Sequence, residues 1–382
     1  MDKRNIAIAL PVTGEEEWHA IKSSIESGWL TQGPKVSEFE KQFAIRHSVN
    51  HALAVTSCTT GLHLALVALG VGPGDEVIVP AFTWVATANV VVHCGAKPVF
   101  VDVSTNTYNL DPAKIADKVT DKTKAIIVVH LFGLCADMDA VKAAIPDHVK
   151  IIEDAACAAG SSYKGIPAGG IGDVASFSFH PRKSITTGEG GMVTSNNSEL
   201  NQRMDQLRNH GATISEEQRH KGPKPYILPD FNMVGFNYRM TDLQGSVGLI
   251  QLPKLDSFID ERAKWADFYR QELADISWLS LPEEPENGRH GWQSFVTFVK
   301  PDLAPMPRND IMEYLQEKGI ATRPGTHSLH MLSVYKDMFG FADSDFPGAR
   351  DCNDYTMAIP LHNRMSEEDY VYVVSAIKSL VL

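Results

Sequence analysis

The chain has few cysteines, no long apolar run and a deficit of positive charge. Its five cysteines are scattered among 382 residues without a CxxC pair. This spacing suits neither a disulfide framework nor a cysteine metal site, so we predict reduced thiols, no metal and a cytoplasmic location. The apolar run before Pro11 has only five residues. It is too short for a signal-peptide core, and no other uncharged segment reaches membrane-spanning length.

The charge deficit narrows the range of partners. The formal net charge is -12, whereas nucleic acids and anionic membrane surfaces select for basic faces. We therefore expect neither partner, although a local basic pocket for a small anion remains compatible with this charge.

A dinucleotide-binding dehydrogenase is also disfavoured, because "LGVGPGDEV" lacks GxGxxG and leads into a strand rather than a helix.

The pattern of apolar residues predicts an α/β fold. From about residue 50 to 195, short β-branched runs such as "EVIVP", "KPVFVDV" and "KAIIVV" alternate with helical patterns. Strands buried on both faces and separated by helices indicate a mainly parallel sheet. This regular alternation of strand and helix patterns is no longer seen after a helical stretch that begins near residue 251. We predict a large domain over residues 1–250 and a smaller C-terminal α+β domain over residues 251–382.

Side chains that could take part in binding or catalysis follow several of the predicted strands. Sites in parallel α/β sheets gather outside the carboxyl ends of the strands. The candidates there are the hydroxyls of Thr59 and Thr60, the indole of Trp84, the carboxylate of Asp154 after Glu153, the hydroxyl of Ser178, and the amine of Lys183. Most have an ordinary alternative: a helix cap for the threonines, a core aromatic for Trp84, a helix cap or ion pair for Asp154 and a surface charge for Lys183.

Taken together, these groups suit pyridoxal 5'-phosphate (PLP). Its phosphate binds at a helix N-terminus with hydroxyls, its ring stacks on an aromatic face, its pyridine nitrogen pairs with a carboxylate, and its aldehyde reacts with a lysine amine. Ordinary roles at all five places at once would be a much rarer coincidence than any one of them.

The chain resembles the sugar aminotransferases of the DegT/DnrJ type, which have the aspartate-aminotransferase fold (fold type I). The resemblance runs over nearly the whole chain, through "SGWLTQGPKVSEFEKQFA", "GPGDEVIVPAFTWVATANVV", "IIEDAACAAGSSYKG", "SFSFHPRKSITTGEGGMVTS" and "GFNYRMTDLQGSVGLIQL". It implies a large domain with a seven-stranded type of sheet and a smaller C-terminal domain.

The resemblance also implies residue roles. Lys183 would form the Schiff base, Asp154 would pair with the pyridinium nitrogen, and Trp84 would stack on the ring. Thr59, Thr60 and Ser178 would hold the phosphate, and Asn237 would reach the cofactor of the second subunit of a homodimer. Cys157 stands where the family usually has His or Gln beside the ring hydroxyl. Cysteine is a weak donor, so it either contacts the cofactor or simply packs.

The expected reaction is transamination. Lys183 would move a proton from the substrate Cα to the cofactor, and we expect nearby positive charge and burial to lower its pKa. By resemblance, glutamate is the amino donor, and the acceptor is a keto- or aldehyde-sugar, usually nucleotide-linked, for surface polysaccharide or lipopolysaccharide. The candidate substrate-binding residues are Thr31 with Gln32, Arg239, Arg323, His327 and His330; the alternatives are ion pairs for the arginines and satisfied loop histidines for the other two.

Other activities stay open. "RPGTHSLH" departs from the commoner family form, which allows a free keto-sugar acid such as an oxidised octulosonate as acceptor. A PLP-dependent sugar dehydratase is less favoured, since relatives with that chemistry replace the lysine by histidine, whereas Lys183 is present. A non-catalytic PLP or sugar sensor is the third alternative.

Overall fold

The structure is a computed structural model that describes residues 4–214, 219–220 and 222–380. Its longer helices are α1 (Glu15–Ser27), α2 (Pro34–Arg46), α3 (Cys58–Ala68), α4 (Ala86–His93), α5 (Met138–Ala143), α6 (Ser198–Arg208), α7 (Asp242–Gln251), α8 (Leu255–Glu272), α9 (Arg308–Glu317), α10 (Ser333–Phe339), α11 (Pro347–Tyr355) and α12 (Glu367–Lys378). Among the described residues, no helix is long and apolar enough to cross a membrane.

A seven-stranded sheet forms the centre of the molecule. Its strands are β1 (His51–Val55), β2 (Glu76–Pro80), β4 (Lys97–Val101), β5 (Thr123–Val129), β6 (Lys150–Asp154), β9 (Val174–Ser178) and β10 (Gly191–Ser195). Their spatial order is β1-β10-β9-β6-β5-β2-β4. Only β10 runs against its neighbours. The predicted α/β fold with a mainly parallel sheet is therefore confirmed.

Helices cover both faces of this sheet, which explains why its strands are apolar throughout. Along β2, Val77 and Val79 lie in one core cluster, with the buried leucines of α3 and the valines of α4. Ile78, between them, lies in the cluster on the opposite face. This alternation is the pleat of a strand. Burying one such side chain contributes about 1.5–3 kcal/mol, so both faces favour the folded state.

The C-terminal residues build a smaller α+β unit. Strands β11 (Leu279–Ser280), β13 (Phe295–Val299) and β15 (Thr356–Ile359) form an antiparallel sheet. Its core includes aromatic residues of α8, β13 and α12. The domain boundary near residue 250 stays a prediction. Two segments pack in the core on the other side of it. Ile6 belongs to this C-terminal core, and the buried residues of segment 329–352 lie in the core of the large sheet.

Two short strands bring the C-terminal unit to the carboxyl edge of the large sheet. Strand β3 (Phe82–Thr83) follows β2, and β14 (His327–Ser328) pairs with it in antiparallel register. The backbone N–H of Leu329 also donates to the carbonyl of Ala81 over 2.7 Å. The segment that contains Arg323 and His327 is therefore fixed beside the ends of the parallel strands. The remaining short strands, β7 (Ser162–Tyr163), β8 (Ile166–Pro167) and β12 (Gly288–Arg289), form a separate antiparallel sheet.

Candidate active site

A hydrogen-bonded loop between β9 and β10 holds Lys183. The N–H of Phe179 donates to the carbonyl of Gly190 over 2.9 Å, and the Thr187 N–H donates to the carbonyl of Phe179 over 3.0 Å. Gly188 has a φ of +85°, a conformation that costs glycine little. The N–H of Lys183 itself donates to the carbonyl of His180 over 2.8 Å. The loop thus fixes the lysine backbone just beyond the carboxyl end of β9.

The amine of Lys183 lies against a thiol. Its Nζ donates to the Sγ of Cys157 over 3.1 Å, and both side chains are half-buried. Burial by itself lowers the pKa of Lys183, but Cys157, Cys58 and Asp154 favour the ammonium form and together raise the pKa. The expectation of a lowered pKa is wrong for this arrangement, because acidic rather than positive groups face the amine.

Asp154 lies at the carboxyl end of β6 and is buried. Its Oδ2 accepts a hydrogen bond from the Thr87 hydroxyl at 2.8 Å, and its Oδ1 accepts one from the Ala156 N–H at 3.2 Å. The Cys58 thiol points at the same Oδ1 from 3.8 Å. Burial raises the pKa of Asp154, although these donors and the charge of Lys183 oppose the rise. A cation placed beside this carboxylate would offset the cost of burying it.

Glu153 serves the opposite face of the sheet. It is buried and accepts backbone hydrogen bonds from Gly169, Ile171 and Gly172 at 2.7–2.8 Å. The Nε2 of His130 lies 2.9 Å from it. Burial opposes ionisation, but these donors outweigh it and lower the pKa of Glu153. Glu153 therefore holds a loop, whereas Asp154 faces the lysine.

The N-terminus of α3 meets Ser178 across two strands. Ser57 caps the helix by accepting from the Thr60 N–H at 3.1 Å, and the Thr60 hydroxyl in turn accepts from the Ser57 N–H at 3.0 Å. Thr60 is thus part of the helix cap, as the ordinary alternative predicted, while Thr59 is exposed. Gly191 pairs with both Ser178 and Val55. A Cβ on Gly191 would lie 2.5 Å from the carbonyl carbon of Ser57, so the missing side chain lets the helix begin directly on the strand.

Trp84 and His327 form an exposed aromatic pair at the mouth of this region. Trp84 is 57% exposed. Its ring centroid is 5.6 Å from that of His327, with the planes tilted by 44°. Trp84 is therefore not a core aromatic residue, which was the ordinary alternative to a binding role. His330 is different: it is buried, its Nδ1 lies 3.0 Å from the Ser328 hydroxyl, and its Nε2 lies 3.2 Å from a carbonyl. His330 is therefore a loop histidine whose ring nitrogens both have hydrogen-bond partners, which was the alternative to substrate binding.

Arg323 and Arg182 lie close to each other, and neither forms an ion pair with an acidic side chain in the part of the chain that the structure describes. Arg323 is half-buried, and its Nε is buried without a hydrogen-bond partner among the described residues. Burial, and secondly the charge of Arg182, lower the pKa of Arg323. Arg182 precedes Lys183 and is exposed. Two guanidinium groups close enough to repel each other make this a place where an anion would be stabilised.

The other predicted residues lie around the start of α3 and α7. Arg239 donates to the side-chain oxygens of Asn237 at 3.1 Å and Asn209 at 2.7 Å. It also forms a β-bridge with Val55, at the end of β1. Asn237 is exposed. Thr31 is exposed too, and its carbonyl accepts from the Asp242 N–H at 3.1 Å.

Sequence reasoning missed three residues that line or support this region: Thr87, Cys58 and Arg182. Thr87 lies three residues after Trp84, so it could have been noted with the other side chains that follow β2. Arg182 could have been noted as the neighbour of Lys183. No local signal identifies Cys58, because its contact with Asp154 joins two strand ends that are far apart in sequence.

The chemistry of these groups fits PLP. A buried carboxylate with a raised pKa suits a pyridinium nitrogen, the helix N-terminus with an exposed threonine suits a phosphate, and the amine of Lys183 suits an aldehyde. The absent side chain at Gly191 leaves the helix N-terminus close to the strand ends.

Comparisons with known proteins agree with this fit. The model of the DegT/DnrJ/EryC1/StrS aminotransferase family matches residues 11–378. The chain is 38% identical to the spore coat polysaccharide biosynthesis protein SpsC of Bacillus subtilis, over 100% of this chain and 99% of the relative. It is also 38% identical to the GDP-perosamine synthase of Caulobacter vibrioides, over 100% of both.

A solved structure extends the likeness to the fold. It is that of Spr1654 from Streptococcus pneumoniae, assigned as a sugar aminotransferase and solved in its PLP form. It has a TM-score of 0.91 and 32% identity, covering 99% of this chain and 98% of that one. The chain is therefore a PLP-dependent sugar aminotransferase and belongs to the DegT/DnrJ/EryC1/StrS aminotransferase family.

Proposed function

We propose that this enzyme transfers an amino group from glutamate to a nucleotide-linked keto- or aldehyde-sugar in the cytoplasm, for surface polysaccharide or lipopolysaccharide. The observation that carries the proposal is the placement of Lys183 and Asp154 at adjacent strand ends beside the N-terminus of α3. When bound, PLP supplies an electron sink for the carbanion formed at the substrate Cα. The residue roles below are part of the proposal.

Lys183 would hold the cofactor and move the proton. Its amine would bind the aldehyde, and once released by the amino donor it would take the proton from the substrate Cα and deliver it to the cofactor. Asp154, supported by Thr87, would keep the pyridine nitrogen protonated. Trp84 would cover the ring. Cys157 lies against the lysine amine, which supports a position of its thiol at the reacting end of the site.

The phosphate would lie at the N-terminus of α3. The first N–H groups of a helix have no partner within the helix and attract anions. The Thr59 hydroxyl is exposed there, and Ser178 reaches the same place through its pairing with Gly191. Thr60 would act through its cap, which orders the first turn of the helix.

The arginine pair supports a carboxylate donor such as glutamate. An anion between Arg182 and Arg323 would relieve their mutual repulsion and satisfy the buried Nε of Arg323. We expect Arg323→Leu to raise KM for glutamate at least about tenfold, the loss of one charge-assisted contact. An unchanged KM for glutamate with a raised KM for the sugar would assign Arg323 to the acceptor instead.

The relatives support a sugar acceptor that carries a nucleotide. One full-length relative is a synthase of a GDP-linked sugar, and another acts in spore coat polysaccharide biosynthesis. The exposed pair of Trp84 and His327 offers flat surfaces at the mouth of the site, where Thr31 and Arg239 also belong in our proposal. A free keto-sugar acid or a dehydratase reaction are the alternatives, and a screen separates them by product.

A homodimer is part of the same proposal. The surface over residues 226–234 exposes Tyr226, Leu228, Phe231 and Val234, of which Val234 is 92% exposed. Several exposed apolar side chains within one short segment are typical of an interface. Asn237 follows it directly and is exposed, which supports its reaching the cofactor of the second subunit.

Subunit mixing tests the role of Asn237. Lys183→Ala and Asn237→Ala homodimers should each be impaired. A mixed dimer has one site with both residues intact, so mixing after mild dissociation should restore activity. If each site uses the Asn237 of its own chain, mixing will restore nothing.

The overall proposal has a direct assay. The purified chain is incubated with PLP and should show a band at ~410–430 nm, the region of a lysine-bound cofactor. Glutamate should then bleach this band. Nucleotide-linked keto-sugars and free keto-sugar acids are screened for glutamate-dependent products by mass. A chain that never acquires the band, or a product that has lost water without gaining nitrogen, would contradict the proposal.

A further inference from the structure

Two nucleophilic side chains of this site contact each other directly. The Nζ of Lys183 lies 3.1 Å from the Sγ of Cys157. Both are half-buried, so the pair is open to small molecules from the site. Of the five cysteines, Cys58 and Cys352 are buried, while Cys94 and Cys135 are half-buried. Among the described residues, no other thiol has an amine within hydrogen-bond distance.

We propose that Cys157 and Lys183 form a modification site, in which a peroxide drives a reversible sulfur–nitrogen cross-link. The Cys157 thiol gives up its proton, its sulfur attacks hydrogen peroxide and the O–O bond breaks; the sulfur becomes a sulfenic acid, and the departing hydroxide takes up the released proton as water. The neutral Lys183 amine then attacks this sulfur. The S–O bond breaks, the S–N bond forms, and a second water leaves. The protein loses two hydrogen atoms, and the peroxide is reduced to water.

The geometry favours this product over further oxidation. The amine is already beside the sulfur, and the flexible four-carbon stem of lysine can close the remaining gap. An intramolecular attack from contact distance competes well with a second peroxide molecule that must diffuse in. Two molecules of an external thiol would reverse the bond, giving back the Cys157 thiol and the Lys183 amine with one external disulfide.

The cross-link would switch the enzyme off. A Lys183 nitrogen bonded to sulfur cannot take the cofactor's aldehyde. This consequence rests on the proposed role of Lys183, whereas the cross-link itself rests only on the contact with Cys157. Bound PLP that engages the amine should protect it, so the form of the enzyme without that bond is the sensitive one.

The test compares two samples of the full-length protein, one saturated with PLP and one freed of it by dialysis. Both are treated with dilute hydrogen peroxide at mildly alkaline pH, where more of the amine is neutral, and are then digested and analysed by mass spectrometry. We expect the dialysed sample to give a joined peptide pair containing Cys157 and Lys183. Its mass should be two hydrogen atoms below the sum of the two peptides. Dithiothreitol should release both peptides from the digest, and when it is added to the treated protein before digestion, added PLP should restore the ~410–430 nm band.

Variants and alternative outcomes make the test decisive. Cys157→Ser and Lys183→Arg should abolish the joined peptide, while Cys94→Ser, which removes another half-buried thiol, should leave it unchanged. A joined peptide in both samples would support the cross-link and contradict the role of Lys183 in holding PLP. Oxidation of Cys157 to sulfinic or sulfonic acid without a joined peptide would overturn the proposal. A joined peptide that retains an oxygen atom would overturn the S–N bond.

Discussion

Replacing Thr87 by valine tests how much the ionised form of Asp154 depends on one hydroxyl. The Thr87 hydroxyl donates to the buried Oδ2 of Asp154 over 2.8 Å. A hydrogen bond to a charged group is worth about 1.5–3 kcal/mol, and valine leaves that oxygen without a strong donor. The protonation equilibrium of Asp154 should therefore move by about ten- to a hundredfold toward the neutral acid. Burial already raises the pKa of Asp154, so the change adds to an existing tendency.

A protonated Asp154 cannot hold a proton on the cofactor's pyridine nitrogen, so the rate should fall. We expect the acidic limb of the pH–rate profile for the amino-donor half-reaction to move to higher pH. On that limb, the rate should be about ten- to a hundredfold lower than in the unmodified enzyme. The half-reaction is followed by the loss of visible absorbance after rapid mixing with glutamate, from acidic to neutral pH.

Two matched variants separate this effect from general damage. Thr87→Ser keeps the hydroxyl and should retain the original profile. Thr83→Val removes a buried hydroxyl that lies 3.3 Å from that of Thr87 but is not bonded to Asp154, so it should not move the acidic limb. If the folded Thr87→Val enzyme has an unchanged acidic limb, or if Thr87→Ser shifts it equally, the reasoning about Asp154 is wrong.

Three further predictions concern the lysine, the buried glutamate and the helix N-terminus. Lys183→Ala should retain the circular dichroism spectrum of the parent but show neither the visible PLP band nor turnover; any retained transamination would contradict its role. Glu153→Gln should lower the free energy of unfolding at neutral pH by about 3 kcal/mol, because it breaks a buried charged network. The lowered pKa of Glu153 means that its stabilisation is present above the unfolded pKa of about 4.3 and is lost as the pH falls through the folded value. Urea titrations should therefore show a weaker acid dependence in the variant than in the parent. Gly191→Ala would place a Cβ 2.7 Å from the Cys58 nitrogen, so it should displace the start of α3 and weaken PLP binding at least about tenfold; Gly72→Ala, whose Cβ would meet nothing within 4 Å, should leave PLP titrations unchanged.

Local pattern was enough to predict the sheet and the lysine. The interior residues of β2 and β5 form unbroken apolar runs, Val77–Val79 and Ala125–Val129, as expected of strands covered on both faces. Because the carboxyl ends of parallel strands share one edge, the sequence also predicted that Asp154 and Lys183 lie on the same side of the sheet.

Contacts between distant segments could not be predicted in this way. The pairing of β3 with β14 places His327 beside Trp84 and directs His330 into the core, although both histidines belong to one short motif. The pKa of Lys183 likewise depends on Cys157, Cys58 and Asp154, which come from two other strand ends.

By itself, the sequence determined the order of the elements, the side of the sheet that carries chemistry, and the family, because apolar periodicity and strand-end residues are local properties of the chain. Only the tertiary structure decided which groups touch the lysine amine, which two arginines lie close to each other, and which histidine faces solvent. These depend on burial and on distances between residues far apart in sequence, and both are set when the helices and strands pack together.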